Sequence, residues 1–324
     1  MAGAPHLTGE PTRMVVALGG NALLRRGDRG TVEEQYLHAD AVMRHVADLA
    51  AAGHRLVITH GNGPVVGNIV LRNEAARASV PPMPLYIDDA DSEGGIGLML
   101  QMALHNRLRA QRIARAVVTI VTQVVVDPLD PAFARPDKPI GPFYSPAEKD
   151  AVAAEEPSWV FAETGEADTW RRVVPSPKPL RVVEAPVITR VTEHGDIVIA
   201  AGGGGVPVVE DADGTLTGID AVIDKDRTSS LLALQTGASV LAILMEEDAV
   251  YLGYGQPGAR ALGHVHCGEL CEHLARGEFH AGSIAPKVEA ACDFVRHGGE
   301  TAVICRAENL TEALRGHAGT RVTA

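Results

Sequence analysis

The sequence predicts an α/β protein, a three-layer sandwich with a mostly parallel central sheet and a small inserted subdomain. Strand-like and helix-like segments alternate along most of the chain, which is typical of a parallel sheet with helices on both faces. Three strand-like runs also end directly in glycine-rich turns, at residues 19–21, 60–64 and 202–205. Ligands of such sheets bind beyond the carboxyl ends of the strands, so we expect one binding edge there, for a phosphate-rich ligand.

The composition excludes two classes of partner. The chain has 324 residues and a net charge of −12, and general binding to nucleic acid needs a basic face. No apolar run approaches the roughly 18 residues of a membrane-spanning helix. Residues 1–13 lack the basic and apolar regions of a signal peptide. We therefore expect a cytoplasmic protein with a disordered tail over residues 1–13 and with neither a nucleic-acid nor a membrane partner.

The spacing of apolar residues predicts each element in turn. Up to the middle of the chain, we expect strands at residues 14–18, 55–59 and 116–126 and helices at residues 31–52, 65–78 and 96–110. In the second half, we expect strands at residues 196–201, 239–245 and 301–305 and helices at residues 225–236 and 286–298. The run at 116–126 is the richest in β-branched residues, which favours a single strand over its whole length.

The alternation stops between residues 127 and 181. This segment is rich in proline and charge and contains both tryptophans, Trp159 and Trp170. Long insertions in compact domains are usually functional lids or subdomains. We therefore expect a core formed by residues 14–126 and 182–324, with residues 127–181 as an inserted lid.

Two nucleotide-binding motifs do not fit well. Gly61, Gly63 and Gly67 follow a strand as in a dinucleotide fingerprint, and Asp88 and Asp89 lie near the distance expected for its acidic residue. However, the chain around these two aspartates does not resemble the end of a strand. The sequence also lacks the lysine-containing phosphate loop of P-loop enzymes, so any cation on a phosphate must come from elsewhere.

Three lysines can supply that charge. Lys138 lies in the insertion, whereas Lys225 and Lys287 open helices. A lysine at a helix N-terminus opposes the helix dipole. Either an anion is bound there or the lysine is simply solvated, and the residues alone leave both interpretations open.

A cluster of potential zinc ligands follows at residues 264–273, including His264, His266, Cys267 and Cys271. Its spacing differs from the usual pair of cysteines two residues apart in zinc sites. The alternative is an amphipathic surface helix from residue 268 to residue 274, in which the cysteines act as small hydrophobic residues.

Eight motifs occur in the same order as in the carbamate kinases of the amino acid kinase fold, and the chain resembles that family from about residue 14 to residue 309. They are VVALGGNAL (15–23), HGNGPVVG (60–67), TQVVVD (122–127), KPIGPF (138–143), RRVVPSPKP (171–179), GGGGVPV (202–208), AVIDKD (221–226) and GSIAPKVEA (282–290). KPIGPF and RRVVPSPKP lie in the insertion, which resembles the protruding subdomain of carbamate kinases.

The resemblance implies reversible phosphoryl transfer between ATP and carbamate, with Mg2+ and small-molecule substrates, in a homodimer. It implies these catalytic residues: Lys138, Lys225 and Asp226. It implies binding of the carbamoyl and phosphoryl groups by Gly19, Gly20, Asn21, Gly61, Asn62 and Gly63. It implies binding of the nucleotide, ATP or ADP, by Gly203, Gly204, Asp224, Asp248, Tyr254 and Lys287. It implies no metal ligand set from the chain itself.

The chain departs from the family pattern at two places. Residues 88–93 carry three aspartates and a glutamate where carbamate kinases are mostly neutral, and Met245 followed by Glu246 stands where a threonine is usual. Added carboxylates repel an anionic carbamate unless they face solvent, bind a cation or serve an acceptor that carries an amine. Two alternatives therefore remain: a kinase for another small carboxylate or carbamate-like acceptor, and a catalytically silent ligand-binding relative.

Overall fold

The computed structural model describes residues 11–19, 23, 28–164, 167–280 and 282–324. Its strands are β1 (Arg13–Leu18), β2 (Arg55–His60), β3 (Val117–Ile120), β4 (Gln123–Val126), β5 (Lys138–Tyr144), β6 (Val160–Glu163), β7 (Trp170–Val174), β8 (Pro179–Val182), β9 (Ile197–Ala200), β10 (Val206–Glu210), β11 (Leu216–Gly218), β12 (Val240–Met245), β13 (Val250–Leu252), β14 (Arg260–Leu262), β15 (His264–His266), β16 (Thr301–Arg306) and β17 (Thr320–Thr323). Its helices are α1 (Val32–Ala51), α2 (Gly63–Ala76), α3 (Leu85–Ala110), α4 (Pro146–Glu155), α5 (Ala185–Glu193), α6 (Lys225–Gln235), α7 (Cys267–Ala275), α8 (Ile284–Arg296) and α9 (Leu310–Leu314).

The central sheet is mostly parallel, which confirms the predicted α/β class. Within the described residues it has eight strands in the order β15-β17-β16-β12-β1-β2-β9-β3. Among the described strands of this sheet, only the pair β16 and β17 is antiparallel. Because β1 lies between β2 and β12 and runs parallel to both, the carboxyl ends of these strands meet at one edge.

Two apolar cores cover the two faces of this sheet and produce the three layers. On one face, α1 and α3 pack through residues such as Met43 and Leu104, and on the other, α6 and α8 pack through residues such as Leu232 and Val288. The apolar residues of α1 recur at three- and four-residue steps, so one stripe of the helix is buried. None of the described helices is long and apolar enough to cross a membrane.

The predicted single strand over residues 116–126 is wrong. The chain forms β3, which pairs with β9 in the central sheet, and then β4, which pairs with β10 in a second sheet of order β11-β10-β4-β8. Tertiary hydrogen bonds explain the break at Thr122. Its amide N–H donates to Glu93 at 3.0 Å, and its hydroxyl accepts from the amide of Ala201 at 2.9 Å.

The third helix begins earlier than predicted. It starts at Leu85 rather than at Ile96 and runs through the acidic segment and through Gly94 and Gly95. A Cβ at either glycine would meet no atom within 4 Å, so this side of the helix is open. The prediction failed because two consecutive glycines weaken local helix propensity, whereas the tertiary packing of α3 sustains the helix.

The inserted segment contains a small sheet, with the order β5-β7-β6. It contacts α2 closely: a Cβ on Gly67 of α2 would lie 2.6 Å from the backbone nitrogen of Gly141 in β5. Gly141 has a φ of 71°, in the left-handed region that favours glycine. The two glycines therefore let the insertion and the core approach at backbone distance.

The cysteine-containing segment is a helix, α7, as the apolar alternative predicted. Cys267 is buried, and the Cys292 thiol donates to its backbone oxygen at 3.7 Å. His264 and His266 precede α7 in the edge strand β15 and are exposed. The part of the chain that the structure describes contains no group of three or more side chains arranged to hold a metal ion.

Candidate functional site

The glycine turns lie side by side at the carboxyl edge of the sheet. The amide of Gly61, after β2, donates to the carbonyl of Leu18, the last residue of β1, at 3.3 Å. A Cβ on Gly19 would lie 3.1 Å from the carbonyl oxygen of Leu244 in β12. The ends of β1, β2 and β12 are therefore contiguous. Gly20 and Asn21 lie outside the described residues.

The tetraglycine turn packs against the turn that follows β2. Gly203, Gly204 and Gly205 have φ values of 68°, 105° and 84°, which are rarely open to other residues. A Cβ on Gly203 would lie 2.6 Å from Nδ2 of Asn62. Only glycine therefore allows these two loops to approach so closely.

Three lysines and two carboxylates alternate beside these loops. Lys138 donates to Asp224 at 2.9 Å, Lys225 donates to Asp226 at 2.5 Å, and Lys287 donates to the other oxygen of Asp226 at 3.1 Å. The three ammonium groups exceed the two carboxylates by one positive charge. The cluster also lies at the positive, N-terminal end of the α6 dipole. This arrangement favours an anion.

The charges in this cluster stabilise one another. Burial raises the pKa of Asp226, but the neighbouring Lys225 and Lys287 outweigh this effect and hold it below its usual value. Burial likewise opposes ionisation of Asp224, and Lys138 and Lys225 reverse the effect. Burial also lowers the pKa of Lys225, which Asp226 partly offsets. Both carboxylates are therefore ionised at neutral pH and can hold the lysine side chains in place.

Hydrogen bonds from several parts of the chain hold the start of α6 in place. One oxygen of Asp224 caps the helix by accepting from the amides of Asp226 and Arg227, at 2.9 and 3.3 Å, while the other accepts from Lys138. The Thr228 hydroxyl donates to the carbonyl of Gly204 at 2.9 Å. One helix end therefore connects the insertion, the tetraglycine turn and the lysines.

The acidic segment is largely buried, and two of its carboxylates contact the glycine loops. Asp89 accepts from the Asn62 amide at 3.2 Å, and Glu93 accepts from the amide of Gly202 at 2.8 Å. Asp88 is also buried and accepts from the Asn73 amide, whereas Asp91 is exposed. The charge of this segment is visible in the sequence, but the contacts of Asp89 and Glu93 with the loops are not, because they join residues far apart in the chain.

His60 is a further buried group beside the tetraglycine turn. It is 1% exposed, its Nδ1 contacts the carbonyl of Gly61 at 3.1 Å, and its Nε2 has no hydrogen-bond partner among the described atoms. Burial lowers its pKa to about 4, so the imidazole is neutral at pH 7. Nδ1 therefore carries the proton that it donates to Gly61.

The two remaining predicted residues of the nucleotide site are exposed. Asp248 follows β12 and accepts from the Tyr251 hydroxyl at 3.0 Å. Tyr254 has 65% of its surface exposed, and its hydroxyl donates to Glu247 at 3.4 Å. Both lie beyond the carboxyl end of β12 and face solvent.

Comparisons with known proteins identify the family of this chain. Residues 12–306 match the model of the amino acid kinase family. The carbamate kinase of Pyrococcus horikoshii is 46% identical over 97% of this chain and 99% of its own length. The carbamate kinase-like protein YahI of Escherichia coli is 41% identical over 95% of this chain and 98% of its own length. Among solved structures, carbamate kinase from Giardia lamblia bound to AMP-PNP has a TM-score of 0.90 at 37% identity and covers 97% of this chain and 98% of its own.

Proposed function

This chain belongs to the amino acid kinase family and is a carbamate kinase-like phosphotransferase, and from that premise we propose that it transfers a phosphoryl group reversibly between ATP and carbamate. In the direction of ATP formation, the bond between phosphorus and the carbamoyl oxygen breaks, and a terminal oxygen of ADP forms the new bond to phosphorus. The observation that carries this proposal is the cluster of Lys138, Lys225 and Lys287 beside glycine loops at one sheet edge.

Phosphoryl transfer demands positioning and charge stabilisation more than covalent chemistry. We propose that Lys225 and Lys138 lie on either side of the transferred group and that Asp226 orients Lys225. Lys287 then contacts the nucleotide phosphates. The support is geometric: Asp226 accepts from Lys225 and Lys287, one with each oxygen.

The glycine loops supply uncharged donors in this scheme. The backbone amides at Gly19, Gly20, Asn21, Gly61, Asn62 and Gly63 would bind the carbamoyl and phosphoryl groups. Gly203 and Gly204 would lie beside the nucleotide, with Asp224, Asp248 and Tyr254 completing its site. Amides fixed in loops stabilise developing negative charge without reorganising.

We propose that Mg2+ enters this site with the nucleotide. All four side-chain oxygens of Asp224 and Asp226 already accept from lysines or backbone amides, so these two carboxylates do not fit a metal site of their own. The nucleotide phosphates would hold the metal, which would neutralise charge on the phosphate oxygens.

The domain arrangement belongs to the same proposal. Lys138 reaches Asp224 from the insertion, so residues 127–181 would act as a lid that completes the site. A homodimer and a cytoplasmic location are further parts of this proposal, taken from the resemblance to carbamate kinases.

A coupled assay of ATP formation tests the function. Purified protein receives ADP, Mg2+ and carbamoyl phosphate, with acetyl phosphate and other acyl phosphates in parallel reactions. We expect carbamoyl phosphate to give the highest kcat/KM. Faster turnover of another acyl phosphate would favour the alternative acceptor, and no turnover of any would favour a silent ligand-binding relative.

A further inference from the structure

Two buried carboxylates of α3 contact both glycine loops that flank the candidate site. Asp89 and Glu93 are four residues apart, so they lie on the same face of the helix. Asp89 accepts from Nδ2 of Asn62 at 3.2 Å. Glu93 accepts from the amide of Gly202 with one oxygen, at 2.8 Å, and from the amide of Thr122 with the other, at 3.0 Å. One helix face therefore connects the turn after β2 to the turn after β9.

These carboxylates are costly to bury. The side chains are 2% and 0% exposed, and neither forms an ion pair with a base among the described residues. Burial of a carboxylate without an opposite charge destabilises a fold or forces the group to take up a proton. Burial raises the pKa of Asp89 well above its usual value and that of Glu93 to about 8. Such a cost at two positions beside a site suggests a role in function.

The two glycine loops pack closely against these carboxylates and their partners. A Cβ on Gly202 would lie 2.8 Å from Cγ of Glu93, and it would collide with the ring of His60. A Cβ on Gly203 would lie 2.6 Å from the same Asn62 nitrogen that donates to Asp89. The two loops and the two carboxylates therefore form one packed unit.

We propose that Asp89 and Glu93 are positioning residues that hold the acceptor loop (residues 61–63) and the tetraglycine loop (residues 202–205) in the relative geometry that phosphoryl transfer requires. This inference rests on the proposed function. Asp89 takes one of the two N–H groups of the Asn62 amide, which fixes the amide plane and leaves the second N–H for an oxygen of the substrate. Glu93 fixes the first residue of the tetraglycine loop and, through Thr122, the junction between the two sheets.

Steady-state kinetics of single variants test the proposal. Asp89→Ala releases Asn62, and we expect the KM for carbamoyl phosphate to rise about tenfold or more while the KM for ADP changes less than about threefold, because the acceptor loop is the displaced part. Asp89→Asn keeps an oxygen that accepts from Asn62, so it should restore most of the lost efficiency. A purely structural role would shift both KM values and would show no such rescue.

The same helix provides matched controls. Asp88→Ala removes a carboxylate that is equally buried but accepts from Asn73 of α2 rather than from a loop, and Asp91→Asn removes an exposed one. We expect neither to change the KM for carbamoyl phosphate by more than about twofold. Equal effects of Asp88→Ala and Asp89→Ala on that constant would overturn the inference.

Glu93→Gln provides a second measurement, independent of turnover. Both side-chain oxygens of Glu93 can accept a hydrogen bond whether or not the group holds a proton, whereas an amide has one accepting oxygen and an NH2 group that only donates, so one of the two backbone amides loses its acceptor. Hydrogen exchange should therefore accelerate over residues 201–205 or at Thr122 in Glu93→Gln but not in Asp91→Asn. Unchanged exchange would refute the role of Glu93. If the protein prefers another acyl phosphate, the kinetic test uses that substrate, so the proposed function can fail while this inference stands.

Discussion

At the scale of single residues, the chemistry of this protein depends on where charge is buried. Asp226 accepts from two lysines, and both partners lie in a region with little access to water. Charged groups in such a region interact more strongly than at the surface. In the proposed function, each lysine would therefore have a larger effect on a bound phosphate than its charge alone would give in water.

Lys225→Ala should lower kcat by about a hundredfold or more and leave the KM for ADP within a few fold, because an interaction of the transition state is lost. Asp226 keeps Lys287 as a partner, so we expect the variant to fold. The coupled ATP assay and thermal unfolding measure the two effects. Lys149→Ala, in the inserted subdomain, is the control and should behave as the unmodified protein; an unchanged kcat in Lys225→Ala would place the chemistry elsewhere.

Glu93 should make stability depend on pH. Burial raises its pKa from an ordinary 4.5 to about 8, so between these pH values the folded protein holds a proton that the unfolded chain has lost. Glu93 therefore makes its full contribution to the free energy of unfolding below about pH 4.5. This contribution decreases as the pH rises towards 8.

Glu93→Gln cannot ionise and should not have this dependence. We expect its melting temperature, relative to that of the unmodified protein, to rise steadily between pH 5 and pH 8 and to level off above about pH 8. The exposed Asp91→Asn is the control for a change of charge without burial. A difference in melting temperature that does not vary with pH would mean that Glu93 keeps the same charge in the folded and unfolded states.

At the scale of elements, the contact of α2 with β5 positions Lys138. β5 begins with Lys138 and contains Gly141, whose backbone lies against Gly67 of α2. The distance between these elements therefore sets how far the lysine reaches towards Asp224 of α6.

Gly67→Ala should force α2 and β5 apart, since its Cβ would lie within 2.6 Å of the Gly141 backbone. We expect destabilisation of about 1–3 kcal/mol from overpacking and a lower kcat, measured by thermal unfolding and by the coupled assay. Gly94→Ala in α3 is the matched control, because its Cβ meets no atom within 4 Å; it should stabilise the protein by about 0.5–1 kcal/mol. Equal melting temperatures and equal kcat values of the two variants would contradict the close contact of α2 with β5.

At the scale of the whole molecule, the site spans parts of the chain that are far apart. Lys138 and Asp224 are 86 positions apart and meet at the start of α6. If residues 127–181 move as a lid, binding of substrates should close them over the core.

Hydrogen exchange with and without ADP and carbamoyl phosphate tests this movement. We expect β5 and β7 to gain protection when both ligands are present, since the lid then excludes water from the site. The buried strand β16, distant from the lid, is an internal control and should not change. Equal protection of the insertion in both states would indicate a static subdomain.

The sequence by itself determined the α/β class, five strands of the central sheet and most of the helices that cover it, and the edge at which the glycine turns meet, because apolar periodicity and glycine turns are local properties. The proposed roles of Lys138 and Lys225 came from the resemblance to carbamate kinases. Only the tertiary structure decided that the run at 116–126 divides between two sheets, that α3 begins at Leu85, and that Asp89 and Glu93 are buried against the loops. Each of these three features depends on contacts between residues far apart in sequence, such as Glu93 with Gly202. Local propensity does not predict such contacts.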